Sequence, residues 1–421
     1  MTEKDNFKPQ VSVLTAGRDR HYTLGLANAL VAAGINFDFI ASDELEAPEL
    51  LHSPQVRFLN LRGDQSVGAG LLNKIFRVLA YYLRLIVYAA TSRAKVFHIL
   101  WNNKFEFFDR TLLMLYYKML GKKIVFTAHN VNAGARDGCD SFANRFSLKF
   151  QYRLCDGIFV HTQKMKAELV SDFGVPPGKV VLIPFGLNQE VPDTAMTPGE
   201  ARERLGLRAE DKVILFFGNI APYKGLQFLI EAFTNIAKKD PKARLVIAGR
   251  PKGPPEYWQE IRQQIECSQW FDRVIQKIEY IPDADTEIFF KAADVLVLPY
   301  VHIFQSGVLS LAFSFGLPVI AADVGSLKEE IIAGKTGLVF EPGNSAQLAR
   351  AIRDHFQSDL YTGLAAHRTE IQAMANEKYS WAKVAAITVE TYSGPGRNKK
   401  FPSSEAMHHE NSQPDFAGQK L

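Results

Sequence analysis

Short apolar runs alternate with longer amphipathic segments along most of this chain, and that alternation restricts the fold more than any other feature. In the first half the runs fall at 11–14, 35–40, 96–100, 123–127, 158–161 and 180–183. In the second half they fall at 213–217, 244–248, 295–298, 318–321 and 338–340. Runs this short and this rich in valine and isoleucine fit strands covered on both faces, and strands separated by helices pair in parallel. Residues 184–207 break the pattern: PFGLNQEVPDTAMTPGEARERLGL is polar, proline-rich and without a strand signal. The expectation is an α/β chain of two facing Rossmann-like, doubly wound parallel-sheet domains, 1–188 and 189–375. A helical segment follows at 376–392, with Trp381, Val384 and Ile387 on one face. Residues 393–421 are polar, lack apolar periodicity and read as a disordered tail. Two such domains facing each other would turn the carboxyl ends of both sheets into one cleft.

Length and composition fit this division and exclude several classes. A chain of 421 residues with 47% hydrophobic content can bury more than one core. A net charge of +4, with no basic run interleaved with aromatics, argues against nucleic acid as a partner. Cys139, Cys155 and Cys267 have no metal-ligand spacing, so no metal site is expected and a reducing compartment fits. The opening MTEKDNFKPQ has no apolar core like that of a signal peptide, and no stretch of about 18 uncharged apolar residues occurs. These features point to a cytoplasmic protein.

Two segments carry the chemistry. Residues 213–225, VILFFGNIAPYKG, are an apolar run ending near Gly218 and Asn219, then a loop that sets Lys224 beside Gly225 before a helical pattern. Strand, loop and helix start are the parts of a phosphate site: backbone N–H groups, the positive helix end and an ammonium. Residues 295–321, VLVLPYVHIFQSGVLSLAFSFGLPVIA, repeat the arrangement. Pro299 ends the run, Ser306 is a candidate N-cap, and Gly307 lets a ligand approach the backbone. The N–H groups of Gly307, Val308 and Leu309 would leave the carboxyl end of the sheet, where open α/β sheets bind ligands. Either segment alone reads as one more βα turn. Together they read as a nucleotide-diphosphate cleft.

With IPFGLN (183–188), FFGNIAPYKG (216–225), KAADVLVLPY (291–300), FGLPVIAADVGSLKEEI (315–331) and GKTGLVFEPGNSAQLARAI (334–352) in this order, the chain resembles the retaining glycosyltransferases of the GT-B fold, family 4, group 1. The resemblance covers roughly 10–392, and YSWAKV looks like the family's last helix, which crosses back onto the first domain. It implies transfer of a sugar from a nucleotide-sugar donor to a glycan, lipid-linked or small-molecule acceptor, with no metal or cofactor required. Lys224 matches the lysine on the donor's phosphates, and His129 the histidine near the donor sugar. Gly218, Asn219, Gln305, Ser306, Gly307 and Val308 fall on the donor side. TAGRDRHYTLG (15–25) looks like the family's glycine loop. Gly17 there gives backbone access, and Arg18, Arg20 and His21 are candidates for phosphate or acceptor contact; an ordinary solvated loop is the other reading.

The chain departs from the family at the two glutamates, separated by seven residues, that many members carry. Ile303 and Leu311 stand there, and Asn219 replaces an arginine five residues before the lysine. One reading is an active enzyme in which Gln305, Ser306 and the 307–308 backbone take over donor contacts. The others are a non-catalytic sugar-nucleotide-binding or scaffolding subunit, and a GT-B enzyme of different chemistry. Segments 71–90 and 112–123 are apolar, aromatic and sparsely basic. They read either as buried helices flanking the first sheet or as a peripheral contact with the inner face of a membrane, the latter suiting polysaccharide or glycoconjugate assembly.

Overall fold

The computed structural model describes residues 7–17, 19–63, 70–136, 140–188, 191–303 and 306–394. Arg18, Gln305 and all but the first two residues of the expected tail at 393–421 lie outside them. Among the described residues thirteen strands form two wholly parallel sheets. The first is built from β1 (Val11–Leu14), β2 (Phe37–Ala41), β3 (Val56–Asn60), β4 (Val96–Ile99), β5 (Lys123–Thr127), β6 (Gly157–Val160) and β7 (Val180–Leu182), in the order β3-β2-β1-β4-β5-β6-β7. The second comprises β8 (Lys212–Phe217), β9 (Ala243–Ala248), β10 (Val274–Lys277), β11 (Val295–Leu298), β12 (Val319–Ala322) and β13 (Gly337–Phe340), ordered β10-β9-β8-β11-β12-β13. In each sheet the strand order reverses once, between β1 and β4 and between β8 and β11. Open α/β sheets bind ligands beyond the carboxyl ends of the strands at such switch points.

Alternate side chains of each strand feed opposite cores. Val213 and Leu215 enter one apolar cluster of the second sheet, Ile214 and Phe216 the other. All four are fully buried, each contributing roughly 1.5–3 kcal/mol relative to an exposed position. The two strands that the apolar pattern does not reveal, β3 and β10, are both edges. Their sequences, VRFLN and VIQK, are half exposed and carry polar residues. β3 is tied to β2 by a bidentate Arg57–Asp38 pair, at 2.7 and 2.8 Å, rather than by apolar burial alone.

The helix Trp381–Ser393 packs along the helix Arg20–Ala32, and both cover one face of the first sheet. Its buried stripe is Trp381, Val384, Ala385, Thr388, Val389 and Tyr392, so Ile387 lies at the margin rather than on the stripe. The Trp381 ring fills space left by two glycines. A Cβ on Gly25 would sit 2.1 Å from the ring and one on Gly186 2.3 Å. Its Nε1 donates to the Leu187 carbonyl at 2.9 Å. Gly25→Ala is therefore expected to lower unfolding free energy by about 1–3 kcal/mol through overpacking. Urea denaturation checks this; an unchanged midpoint would show that the helix is loosely docked.

Candidate active site

Segments after β1, β4, β5, β7, β8, β9, β10 and β11 wall one cleft of about 1240 Å³. Both switch points therefore open onto the same space. On the second-sheet side the two phosphate-type segments are locked together. Gly225 has φ +66°, and a Cβ there would fall 2.0 Å from the Pro299 carbonyl oxygen, so only glycine lets the β8 loop press against the end of β11. The Val301 N–H donates to the Tyr223 carbonyl at 2.9 Å across the same seam.

This seam buries Lys224, which is 6% exposed. Its Nζ donates to Tyr300 Oη at 2.6 Å and lies 4.0 Å from the Tyr300 ring centroid. No carboxylate pairs with it among the described residues. A buried ammonium is costly unless paired, and this one lines the cleft with donors to spare. Gly218 and Asn219 line the same wall, and a Cβ on Gly218 would meet Val308 at 3.5 Å.

The helix Gly307–Ser314 begins where the sequence places it, but its first turn is built differently. Ser306 occupies the N-cap position without a side-chain capping bond; its Oγ lies 3.4 Å from Tyr300 Oη instead. Leu309 N–H is not free: it donates to the Ser306 carbonyl at 3.1 Å. The N–H groups of Gly307 and Val308 have no partner among the described residues, and both residues line the cleft with Ser306. Ile303 and Leu311, the positions of the missing glutamates, line it too. The carboxylates on the walls are instead Asp19, Glu279 and Asp283, and Arg250 and Lys252 add cations after β9. Sequence reading passed over these two. The signal was available, because GRPK directly follows a buried strand just as GNIAPYK does.

On the first-sheet side, His129 follows β5 and stacks on Trp101 with centroids 4.2 Å apart and planes 5° apart. Its Nδ1 is 3.2 Å from His161 Nε2, and His161 Nδ1 is 3.1 Å from the Ile183 carbonyl. A carbonyl only accepts, so His161 carries its proton on Nδ1 and accepts at Nε2. His129 then donates from Nδ1, leaving its Nε2 as a bare acceptor. That Nε2 is shielded from solvent and has no partner among the described residues. His129 therefore keeps one unused acceptor, Nε2, enclosed behind the cleft wall, so only a ring movement would bring it to a ligand. Sequence reading missed His161, although it follows β6 as His129 follows β5. His21 lines the cleft and lies 3.3 Å from the Gly186 carbonyl. Gly17 and Arg20 do not line it. Gly17 sits against Arg62 and Ser42, and Arg20 donates to the Glu44 carbonyl.

Burial holds these imidazoles neutral. His129 is pushed well below the ordinary histidine range by burial, then by His161 and His98. Burial lowers His161 to about 4 and His98 to about 3. His355, buried in the second domain, falls to about 4 for the same reason. The unfolded chain binds these protons near pH 6.5 while the native state does not, so stability falls as pH drops below 6.5. Burial raises Asp109 to about 6 and also raises Glu168 and Asp294, which opposes the trend. Acidification from pH 7 to 5.5 should cost about 1 kcal/mol per buried histidine. Unfolding free energies measured at the two values check this; equal stability would mean that these histidines are solvated.

Residues 211–358 match the sequence family described as glycosyl transferases group 1, and residues 20–191 match glycosyltransferase family 4. The chain belongs to this family. A D-inositol 3-phosphate glycosyltransferase of Corynebacterium efficiens is 27% identical over 288 residues, 64% of this chain and 65% of that protein. One from Streptomyces bingchenggensis is 29% identical over 245 residues, 56% of this chain and 52% of that protein. This family-4 chain thus spans between half and two thirds of the length of these relatives. The fold matches sucrose-phosphate synthase from Thermosynechococcus elongatus with a TM-score of 0.69 at 20% identity, over 90% of this chain and 96% of that one. Anabaena HepE in complex with UDP and glucose matches with 0.68 at 17%, over 89% and 97%. The architecture is GT-B.

Proposed function

We propose that this family-4 chain is a retaining glycosyltransferase that moves a sugar from a nucleotide-sugar donor to a glycan, lipid-linked or small-molecule hydroxyl in polysaccharide or glycoconjugate assembly. The buried, carboxylate-free Lys224 beside the unpartnered Gly307 and Val308 N–H groups carries this reading. A nucleoside diphosphate supplies the anion that Lys224 and these N–H groups lack. As the C1–O bond to the diphosphate breaks, negative charge grows on the leaving oxygen, and the ammonium and N–H dipoles stabilise it. The acceptor oxygen bonds to C1 on the same face and its proton passes to a departing phosphate oxygen, so no protein nucleophile is needed. That route fits a cleft with Ile303 and Leu311 where glutamates are usual. His129 lines the sugar side of the cleft, and its Nε2 would accept from a sugar hydroxyl once the ring turns toward the donor. The relative bound to UDP and glucose supports the donor class, and the exposed free thiol of Cys267 suits a reducing compartment.

A thermal-shift screen across UDP-, GDP- and ADP-sugars tests this. A donor at a hundred times its Kd adds about 2.7 kcal/mol of apparent stability, and product NMR reports the anomeric configuration. No shift with any nucleotide sugar would sink the reading. Replacement of the paired glutamates favours a second one, a sugar-nucleotide-binding subunit without turnover. It would show a thermal shift but no nucleoside diphosphate release with any acceptor.

A further inference from the structure

The cleft does not explain the outer surface of the first domain. The helix Leu71–Thr91 is apolar on both sides. One stripe, including Tyr82, Leu85 and Tyr88, is buried against the sheet. The opposite stripe, Phe76, Leu79, Leu83 and Val87, recurs every three or four residues and is open, with Phe76 73% and Leu83 65% exposed. An apolar stripe opposite the buried one ordinarily has cover of its own.

Two neighbours extend this surface. The segment Glu106–Met119 adds Leu112 and Met119, the latter 78% exposed, and the helix Phe142–Leu154 adds Phe142, 87% exposed, and Phe146. Tyr116 Oη donates to the Ile86 carbonyl at 3.1 Å, joining the middle segment to the long helix. Arg110 donates to Asn144 Oδ1 at 2.9 Å, joining it to the third. The inner sides of all three enter one core cluster, so their outer sides form one face. Patches this large mark an interaction surface.

We infer that this face seats on an anionic lipid bilayer, lying in the interface without crossing it. Charge selects this occupant. The helices Leu71–Thr91 and Phe142–Leu154 contain no acidic residue, yet they carry Lys74, Arg77 and Arg84, and Arg145, Lys149 and Arg153. Lys74, Lys104 and Lys149 have no carboxylate partner among the described residues. The middle segment holds the acids Glu106, paired with Arg110, and Asp109, which is buried; the nearby Asp140 and Asp156 are paired with Arg145 at 2.7 Å and Lys118 at 2.9 Å. Cations interleaved with aromatic and aliphatic side chains match anionic headgroups over acyl chains. A second copy related by a two-fold axis would set the same cations against themselves. The polar tail is no better candidate, since it leaves from the helix Trp381–Ser393 on the opposite face of the sheet. Among the described residues no helix is long and apolar enough to cross a membrane. The inference rests on this surface and not on the transferase reading, although a lipid-linked acceptor would benefit from it.

Flotation of the full chain with phosphatidylcholine vesicles, with and without phosphatidylglycerol, tests it. Binding should require the anionic lipid and weaken in high salt. Lys74→Glu with Lys149→Glu should reduce it roughly tenfold or more. Phe76→Ser with Leu83→Ser should do the same without lowering the thermal midpoint, because both side chains are exposed. Absence of co-flotation at low salt would overturn the inference. So would a lipid-free dimer, seen by light scattering, that the Phe76→Ser and Leu83→Ser pair dissociates, because the occupant would then be a second copy. Either result leaves the nucleotide-sugar shift unaffected, so failure of docking is distinguishable from failure of the transferase reading.

Discussion

Lys224→Ala is expected to cut donor turnover about a hundredfold while leaving the protein folded. Removing one preorganised donor to a developing oxyanion typically costs about 3 kcal/mol of transition-state stabilisation. The ammonium is well placed for that role, buried where the β8 loop meets the end of β11 and paired with no carboxylate among the described residues. Removing an unpaired buried cation also relieves a desolvation cost, so the thermal midpoint should hold or rise. Tyr300→Phe separates positioning from charge. It deletes the 2.6 Å bond that aims Nζ but leaves the ammonium in place. A hydrogen bond to a charged group contributes about 1.5–3 kcal/mol at most, and the freed ammonium can re-form contacts to phosphate. A loss of roughly tenfold is expected, smaller than for Lys224→Ala. Near-wild-type kcat/KM in Lys224→Ala would mean that the lysine only packs on Tyr300.

Gly307→Val should weaken donor binding about a hundredfold and barely change stability. A Cβ on Gly307 meets nothing within 4 Å, so the protein itself accepts a side chain there. The open space is cleft, and a branched side chain would fill it over the 307 and 308 N–H groups, which have no partner among the described residues. Two charge-assisted hydrogen bonds to phosphate are worth about 3 kcal/mol or more together. Valine is a better helix former than glycine, so the first helical position loses nothing in propensity. Calorimetric titration with the preferred nucleotide sugar, alongside urea denaturation, checks both halves. A variant that loses stability and keeps affinity would place the diphosphate elsewhere.

The interior of both sheets was legible from apolar runs because a central parallel strand is covered on both faces and must be apolar throughout. That logic fails at β3 and β10. An edge strand is covered less completely, so VRFLN and VIQK show no continuous run. Lys224, His129 and the helix start at Gly307 were legible because each directly follows a buried strand or its loop, and parallel topology sends all such ends to one side. The error at Ser306 has a different cause. Capping rules are local, whereas Tyr300, six residues earlier, stands near the same hydroxyl. The relay that makes His129 a pure acceptor was beyond sequence reasoning, because it depends on the Ile183 carbonyl reaching His161. Gly17 and Arg20 follow β1 as a ligand loop would, yet one sits against Arg62 and Ser42 and the other bonds the Glu44 carbonyl. Ile303 and Leu311 show that a position can face the cleft after its carboxylate is gone.

The central claim is that the diphosphate of a sugar nucleotide sits between Lys224 and the first turn of the Gly307–Ser314 helix. A crystal structure with the nucleoside diphosphate that gives the largest thermal shift tests it most directly. The expected result is phosphate oxygens within about 3 Å of Lys224 Nζ and of the Gly307 or Val308 N–H. A diphosphate bound in the cleft but beyond hydrogen-bond reach of both would contradict it.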